Sequence, residues 1–510
     1  MYETVGIMDI GSNSIRLVIY EFTTSGEYRV IQECKESARL SAKIGPEGRM
    51  EREAIAVIAP ILRQFQQVCD VFDVTRIRAT ATAAIRNAAN TEEIISWIAE
   101  ETGLELEVLS GEEEGTMGFL GVANTMNVLD GILIDIGGGS TEITLFSERE
   151  RLQTVSFPFG AVNMNSRFGT NSEQDSWDDT RIEALQAVVR SALTEHPWIT
   201  ENLGLPFVGL GGTARTLAKI SQKQRSYSLP ILHHYEMSVE EIDELYQKLP
   251  KMSYSQRKKI AGLSKDRADI IVSGLIILHT IFSAAQGTSF MISGAGLRDG
   301  LFHQMRNPQQ PLVADPLDAS IQNALASSNP ARKKHLERVL SHTQQLCRLL
   351  RVDNLPSDER ILRTASMLYK SGAALNYYQY NQHSAYHIMR GGLGGLSHRE
   401  TVLAAALADY HPKLRTEQLL DNHRDIIRHT DAAWVHQIGS LLQLAIALDC
   451  SESGTIQQMR ATLQEQTLHL TLFCKGTPVL ELNELENKAK DVQKVWNLQV
   501  TWSSQSVSSS

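Results

Sequence analysis

Two glycine-rich segments, far apart in the chain, have the same internal order. The first is Ile7-Met8-Asp9-Ile10-Gly11-Ser12-Asn13-Ser14, and the second is Ile132-Leu133-Ile134-Asp135-Ile136-Gly137-Gly138-Gly139-Ser140-Thr141. Each is an apolar run that contains an aspartate near its end, followed by a Gly/Ser/Asn turn and a second β-prone stretch. In such a turn, backbone N–H groups and hydroxyls can approach a phosphate closely, and the aspartate can bind a divalent cation. Two copies predict two similar α/β lobes whose turns face one phosphate chain across a cleft.

The pattern along the chain predicts four structural units. Residues 1–127 and 128–306 each alternate strands with helices after the strand-turn-strand opening, which predicts an α/β sheet in each lobe. The segment Asn307–Pro311 is a linker signal, and residues 312–453 that follow it are almost entirely helical in pattern. Residues 454–505 change again and predict a small α+β domain.

The expected elements of the last unit are specific enough to be checked. We expect a hairpin between Leu468–Phe473 and Pro478–Leu482 around Gly476, because both stretches alternate apolar and polar residues. A charged helix, Glu484–Trp496, and a strand, Leu498–Trp502, follow. The serine-rich end, 503–510, is expected to be disordered.

Net charge indicates which class of partner to expect, and cysteine content indicates the compartment. The net charge is −10 and the pI is near 5.9, the opposite of what a duplex-binding protein carries, so no DNA partner is expected. The five cysteines are scattered without any CxxC spacing, which indicates reduced thiols in a cytoplasmic protein. We expect no signal peptide and no transmembrane helix, while peripheral membrane contact stays open.

The two aspartates are the first candidate site residues. Asp9 and Asp135 each lie near the end of an apolar strand, where ligands bind in open α/β sheets, and they are candidates for Mg²⁺ and water positioning. Their alternative role is to cap their own turns. The turn residues themselves are candidate phosphate donors, since three consecutive glycines carry an entropic cost that a plain hairpin does not need. These donors are Ser12, Asn13, Ser14, Gly138, Gly139 and Ser140.

A third element, Ser110–Gly115, holds three consecutive acidic residues, Glu112, Glu113 and Glu114. Carboxylates in the first turn of a helix are expected from the helix dipole alone. A general base for water attack must also be a carboxylate near the terminal phosphorus. The residues alone do not choose among the three, and Glu142, just after the second turn, is a further candidate.

Three more segments carry groups that suit phosphate. Arg86 follows a strand end and a turn of small residues, where a guanidinium can bind phosphate or form a surface salt bridge. Gly211-Gly212-Thr213 is a strand-to-helix turn, and helix N-termini bind anions. A fourth glycine turn, 293–300, includes Arg298 as a candidate positioning charge.

Taken together, these segments resemble a known family. Paired phosphate turns and a later Gly-Gly-Thr turn resemble the actin-like ATPase superfamily, with two ribonuclease H-like lobes. More narrowly, the chain resembles the exopolyphosphatase/guanosine pentaphosphate phosphatase family. Four features carry this resemblance: Asp-Ile-Gly-Ser-Asn-Ser, Arg86, Gly-x-Glu-Glu and Asp-Ile-Gly-Gly-Gly-Ser-Thr-Glu. The resemblance places the catalytic base on Glu114, with Glu113 beside it, and the metal and water carboxylates on Asp135 and Glu142. It assigns phosphate contacts to Arg86 and to the turn residues.

The resemblance also covers the helical part, which is similar to an HD-type phosphohydrolase domain. The adjacent His-Asp pair of a working HD site is missing, because Met367–Gly372 stands in its place. The remaining His383, His387, His411 and Asp449 are interpreted as relics of the fold or as phosphate-chain contacts. We therefore expect a degenerate metal motif in residues 312–453.

The implied activity is exopolyphosphatase: hydrolysis of the terminal phosphate of inorganic polyphosphate, with Mg²⁺ as the expected cofactor, Mn²⁺ as its alternative and a monovalent cation as an additional candidate. The closest alternative is 5′-phosphate removal from guanosine pentaphosphate, because both substrates end in a phosphoanhydride. Guanosine tetraphosphate and pentaphosphate are also expected as inhibitors. More remote alternatives are an actin-like ATPase or kinase and an alarmone-binding sensor. The resemblance further implies a homodimer.

Overall fold

The computed structural model describes residues 2–45, 47–169, 176–326, 333–352, 356–412 and 414–506. It divides into two compact units, Met1–Pro316 and Leu317–Ser510. Among the described residues, no helix combines the length and the apolar character needed to cross a lipid bilayer. The five cysteines are all free thiols.

The first lobe of the first unit is a five-stranded sheet with helices packed against it. Its strands are β1 (Tyr2–Ile10), β2 (Ser14–Thr23), β3 (Tyr28–Ser37), β4 (Arg76–Ala81) and β5 (Leu106–Val108), in the order β3-β2-β1-β4-β5. Its helices are α1 (Arg52–Ala56), α2 (Ile58–Val71), α3 (Ala83–Arg86), α4 (Thr91–Thr102) and α5 (Gly111–Ala123). Pro60 is tolerated because it lies in the first turn of α2, where its missing N–H has no intrahelical partner.

The second lobe is built on a six-stranded sheet. Its strands are β6 (Gly131–Ile136), β7 (Thr141–Ser147), β8 (Glu150–Phe157), β9 (Phe207–Leu210), β10 (Glu236–Met237) and β11 (Phe290–Ile292), in the order β10-β11-β9-β6-β7-β8. Its helices are α6 (Ala161–Phe168), α7 (Asp179–Leu193), α8 (Trp198–Glu201), α9 (Gly211–Gln224), α10 (Val239–Lys248), α11 (Tyr254–Arg257), α12 (Ile271–Ala284) and α13 (Leu297–Arg306).

The two sheets repeat one topology. Read from the third strand of each lobe, the first four positions are the third, second, first and fourth strands in both sheets. The fifth position is β5 in the first lobe and β11 in the second, where β10 is added at the edge. Pairing is antiparallel among the first three strands and parallel from there to the fifth position. The two turns repeat as well: the Gly11 N–H donates to the Ser14 carbonyl at 3.1 Å, and the Gly137 N–H donates to the Ser140 carbonyl at 3.0 Å. The predicted duplication of α/β lobes is confirmed.

Helix α13 does not pack as its place in the sequence suggests. The predicted boundary at residue 306 assigns α13 to the second lobe, but the helix packs on the first. Phe302 stacks on Tyr20, with ring centroids 4.1 Å apart, and the Tyr20 hydroxyl donates to Asp299 at 3.0 Å. At Gly300 an added Cβ would lie 1.9 Å from the Met117 carbonyl oxygen, so α13 and α5 approach at backbone distance.

The second unit combines helices with a three-stranded sheet. Its helices are α14 (Pro316–Ala326), α15 (Lys333–Leu350), α16 (Pro356–Leu368), α17 (Tyr380–Arg390), α18 (His398–Ala408), α19 (Leu414–Asp421), α20 (Asp431–Ala447) and α21 (Val479–Trp496), and its strands are β12 (Ile456–Gln464), β13 (Thr467–Cys474) and β14 (Gln499–Ser506). Leu468, Leu470 and Leu472 are buried in the same core as the helices, so the predicted domains 312–453 and 454–505 share one core.

Two sequence predictions for this unit are wrong. The hairpin partner of β13 is β12, not Pro478–Leu482, which opens α21. The reason is that β12 is mostly exposed and lacks a clear apolar alternation, whereas a proline just before a helix is a start signal. Residues 503–506 are not disordered, because they extend β14 in parallel pairing with β13. Residues 507–510 lie outside the described residues.

The relic HD residues do not form a metal cluster. Asp449 accepts hydrogen bonds from the His335 ring at 2.8 Å, from Arg338 at 2.8 Å and from the Gly454 N–H at 2.9 Å. Its carboxylate is therefore used inside the core. His383 and His387 instead border a separate cavity. Within the described parts of the chain, no group of three His, Cys, Asp or Glu side chains is placed to hold a metal ion.

Candidate active site

The two glycine-rich turns lie against each other at the junction of the lobes. A Cβ added to Gly138 would lie 3.0 Å from the Ser12 Cβ, and one added to Gly139 would lie 3.3 Å from the Ser12 hydroxyl oxygen. Both turns form hairpins at matching register, with Ile10 opposite Ile15 and Ile136 opposite Thr141. One ligand can therefore contact both turns at once.

A cleft that is partly open to solvent runs between the turns. It is lined by most of the residues expected from the sequence: Asp9, Ser12, Asn13, Ser14, Glu114, Asp135, Gly138, Ser140, Gly211 and Gly212. Five expected residues do not line it. Gly139 packs against Ser12, Thr213 is buried under Ile136, Arg86 and Glu142 lie behind Glu114, and Glu113 is on an exposed surface.

The structure gives the three consecutive glutamates different surroundings, whereas the sequence alone did not distinguish their roles. Glu113 closes a capping box at the start of α5: its carboxylate accepts from the Ser110 N–H at 2.7 Å, and its own N–H donates to the Ser110 hydroxyl at 3.1 Å. Glu112 is exposed and pairs with Arg151 at 3.0 Å. Glu114 alone faces the cleft.

Glu114 is a partly buried carboxylate with one cationic partner. Its Oε2 accepts a hydrogen bond of 2.8 Å from Arg86, whose same nitrogen also donates to the Leu109 carbonyl at 2.9 Å. Burial raises the pKa of Glu114 to about 7; the Arg86 guanidinium opposes this rise, and the negative charges of Asp135 and Asp9 add to it. A carboxylate that titrates near neutral pH is suited to accept a proton from water.

The two aspartates both line the cleft. Burial raises the pKa of Asp135 to about 6, with Arg215 and Arg267 opposing the rise and Asp9 adding to it. Burial also raises the pKa of Asp9, although Arg298 and Arg16 oppose it. Two carboxylates with raised pKa values that line one cleft are a fit for a divalent cation.

Gly211 makes the position of Asp135 possible. The residue has φ +74°, and a Cβ there would lie 2.2 Å from the Asp135 Oδ1. No side chain fits at this point, so the first residue of α9 must be glycine for the aspartate to keep its place.

Glu142 lies behind the cleft. It is 3% exposed, accepts a hydrogen bond of 2.7 Å from Ser156, and has its Oε1 3.9 Å from the second nitrogen of Arg86. Burial and the negative charges of Glu114 and Asp135 hold the pKa of Glu142 well above its ordinary value. Glu142 and Glu114 thus share one guanidinium, and a change in the charge of either carboxyl is felt by the other.

The cleft also contains arginines that sequence reasoning missed. Arg16, Arg215 and Arg267 line it together with Arg298, which the sequence did indicate. A usable signal exists for Arg215. It is the fifth residue after β9 ends at Leu210, and Arg86 is the fifth residue after β4 ends at Ala81, so the two occupy matching places in the duplicated topology.

The donor set fits a divalent cation of the magnesium type. Mg²⁺ is usually held by one or two carboxylates together with water and substrate phosphate, rather than by a cage of protein ligands. Asp9 and Asp135 supply two partly buried carboxylates to the lining of the cleft.

Comparison with known proteins gives concordant matches. The Ppx/GppA phosphatase family model matches residues 18–308, and the model for Ppx/GppA phosphatase, domain III, matches residues 323–493. Two curated relatives, from Aeromonas salmonicida and Aeromonas hydrophila, are named guanosine-5′-triphosphate,3′-diphosphate pyrophosphatase. Each is 26% identical over 480 residues, which is 91% of this chain and 91% of the relative.

Solved structures agree with this fold. The Ppx/GppA family member from Aquifex aeolicus is 26% identical, with a TM-score of 0.53 over 61% of this chain and 100% of its own. An exopolyphosphatase from Cytophaga hutchinsonii shares the fold at 22% identity, with a TM-score of 0.56 over 61% of this chain and 100% of its own. With its paired phosphate turns and its partly buried glutamate, the chain belongs to the Ppx/GppA phosphatase family of phosphoanhydride hydrolases.

Proposed function

We propose that the protein is an exopolyphosphatase that processively removes the terminal phosphate of inorganic polyphosphate and releases orthophosphate. The observation that carries this proposal is the cleft itself. Four arginines and two phosphate-type turns line the cleft together with Glu114 and three aspartates, and no aromatic side chain belongs to the described lining. Such a surface suits a chain of phosphates, whereas a base would find no ring to stack on.

The turns and arginines would bind and orient the chain end. Backbone N–H groups and hydroxyls of Ser12–Ser14 and Gly138–Ser140 would donate to the equatorial oxygens of the terminal phosphoryl group. Catalysis of phosphoryl transfer is largely positioning and electrostatic stabilisation, and these donors are already fixed by the two hairpins.

Glu114 would act as the general base. The oxygen of water attacks the terminal phosphorus, its proton passes to the Glu114 carboxylate, and the bridging P–O bond to the next phosphate breaks. The products are orthophosphate and a chain one unit shorter, so no covalent phosphoenzyme is required. Arg86 holds Glu114 through the 2.8 Å bond and keeps part of its population ionised near neutral pH.

A divalent cation, which we propose to be Mg²⁺, would be held by Asp9 and Asp135. When bound, it supplies charge neutralisation at the terminal phosphoryl group. Glu142 would act on this centre through Arg86 and Glu114, since it does not line the cleft. From the family resemblance we also propose a cytoplasmic homodimer, which light scattering after size-exclusion chromatography would check.

The deciding experiment is phosphate release from long polyphosphate with Mg²⁺. Glu114→Gln and Asp135→Asn should each lose at least about a hundredfold in kcat, the scale of removing a general base. Glu113→Gln is the matched control, because it removes a neighbouring carboxylate that the structure places on the helix cap. A Glu114→Gln variant that keeps wild-type turnover would refute the assignment.

A second candidate, 5′-phosphate removal from guanosine pentaphosphate, is favoured by the names of the curated relatives, which match over 91% of their length. Both reactions would use the same catalytic groups. The values of kcat/KM for long polyphosphate and for guanosine pentaphosphate, measured under one set of conditions, rank the two. A clear preference for the nucleotide would overturn the first proposal in favour of the second.

A further inference from the structure

Two pairs of positively charged residues extend outward from the cleft, one pair on each lobe. On the first lobe, Arg16 of β2 lies directly opposite Lys35 of β3. On the second lobe, Arg215 and Lys219 lie four residues apart on α9. Like charges in either arrangement destabilise a sheet or a helix by a few tenths of a kcal/mol. Neither pair is therefore explained by the stability of its own element.

The pair on the first lobe continues a row that starts at the reaction centre. Asp9 is opposite Arg16 in the β1–β2 register, and Arg16 is opposite Lys35 in the β2–β3 register. Residues directly opposite each other share one face of a sheet. The row thus runs from a cleft carboxylate to the edge strand, over two strand spacings of about 5 Å each.

The two pairs converge on one region. Arg16, Arg215, Arg267 and Arg298 all line the cleft, so the inner member of each pair faces the same space. The outer members are also close enough to influence one another. Burial and the charge of Arg16 lower the pKa of the Lys35 ammonium; Asp266 opposes this, and Arg267 and Lys219 lower it further.

Two acidic side chains, Glu33 and Asp266, act on the cations of this region outside the cleft lining. Glu33 lies 3.0 Å from Arg298 and 3.5 Å from Arg16, but its side chain is 52% exposed, so a phosphate chain can displace it at small cost. Asp266 acts on Lys35 with opposite sign. Within the described part of the chain, no ion pair joins Lys35 or Lys219 to a carboxylate.

We propose that Lys35 and Lys219 form an outer subsite for the phosphates that follow the terminal ones, and that this subsite makes the enzyme prefer long polyphosphate over short chains. The inference rests on the proposed polyphosphate substrate. A short chain or a nucleotide triphosphate fills the inner arginine positions only. A long chain continues between the two lysines, where each further phosphate adds an ion contact.

The test measures binding rather than turnover. In a Glu114→Gln background, which does not consume the ligand, titration calorimetry gives Kd for long polyphosphate and for tripolyphosphate with Mg²⁺ present. Adding Lys35→Gln and Lys219→Gln should lower the ratio of the two affinities about fivefold, since two partly exposed ion contacts are together worth that much. The loss should shrink in high salt, because exposed charges are screened.

The matched control removes two exposed lysines elsewhere on the second lobe, through Lys248→Gln and Lys251→Gln. This pair changes the net charge by the same amount and should leave the affinity ratio unchanged. The inference is overturned if the Lys35/Lys219 pair weakens both ligands equally, weakens neither, or behaves like the control pair.

Failure of the subsite and failure of the proposed function remain distinguishable. A length-dependent loss of binding in a protein that releases no phosphate from polyphosphate would overturn the activity and support the subsite. Normal polyphosphate hydrolysis combined with a length-independent effect of the two lysines would overturn the subsite alone.

Discussion

Replacing Glu114 by glutamine should make the protein more stable at alkaline pH while it removes activity. The reason is the burial of this carboxylate among other carboxylates. Its pKa is raised from 4.5 to about 7, so the folded protein pays a penalty whenever Glu114 is ionised. Glutamine has nearly the same shape and no charge to bury, and its amide oxygen still accepts the Arg86 hydrogen bond.

The magnitude follows from the shift in pKa. One pKa unit corresponds to about 1.4 kcal/mol, so the shift of Glu114 amounts to roughly 3 kcal/mol of lost stability when the group is fully ionised. A hydrogen bond from arginine to a neutral amide is about 1 kcal/mol weaker than one to a carboxylate. We therefore expect Glu114→Gln to raise the free energy of unfolding by about 2 kcal/mol at pH 8.

The increase in the free energy of unfolding caused by Glu114→Gln must depend on pH in a defined direction. Because the folded state raises the pKa of Glu114, it binds the proton more tightly than the unfolded chain does. The stability associated with that proton is fully present below the unfolded pKa of 4.5, and it is lost as pH rises through the folded pKa of about 7. Wild type and variant should therefore differ little at pH 4.5 and most at pH 8.

Thermal unfolding in EDTA, followed by circular dichroism, provides the measurement, since chelation keeps divalent cations off the neighbouring aspartates. We expect the variant to melt a few degrees above wild type at pH 8. Glu113→Gln is the control with the opposite sign, because the Ser110 N–H bond lowers the pKa of Glu113 and its carboxylate stabilises the helix start. A Glu114→Gln variant that melts at or below the wild-type temperature at pH 8 would refute the reasoning.

Three further predictions concern single contacts around the same centre. Arg86→Gln removes the charge that opposes the raised pKa of Glu114, so the acid limb of the pH profile of kcat/KM should move up by about one pH unit; an unmoved limb contradicts this. Gly211→Ala puts a methyl group within 2.2 Å of the Asp135 carboxylate at φ +74°, and steady-state kinetics should show at least about a tenfold loss in kcat, together with a lower melting temperature. Glu113→Ala breaks the capping box and should cost about 1 kcal/mol in urea unfolding while kcat stays within about threefold of wild type, whereas loss of activity would return Glu113 to the catalytic set.

Local sequence signals predicted the turns well, because both hairpins are closed by neighbouring residues. The Gly11–Ser14 and Gly137–Ser140 hydrogen bonds need nothing distant, and the apolar strands on either side determine the register. The sequence also contains a signal that distinguishes Glu113 from the other two glutamates. Ser110 followed three residues later by Glu113 is a capping-box signature, and it assigns Glu113 to the helix start.

The sequence did not reveal features that depend on distant parts of the chain. Arg267 enters the cleft from a short 3-10 helix, Lys265–Arg267, far along the sequence, and nothing in its neighbours distinguishes it from a solvated charge. The crossing of α13 to the first lobe depends on packing against Tyr20 and on the close approach at Gly300. The partner of β13 was missed because β12 presents few apolar side chains.

The duplicated topology also explains why one cleft can have a binding side and a reactive side. Asp9 and Asp135 occupy the same position before their turns, and each has a charged residue opposite it in the hairpin register. In the first lobe that residue is Arg16, which continues outward to Lys35, whereas in the second lobe it is Glu142, which faces Arg86 and Glu114. The two hairpins therefore differ in charge at one register position. Arg16 in the first hairpin suits an anionic chain, whereas Glu142 in the second lies near Glu114, the carboxyl group that would activate water. Exchanging Arg16 for glutamate should weaken polyphosphate binding by more than the loss of one ion contact, because it would place a second buried carboxylate beside Asp9.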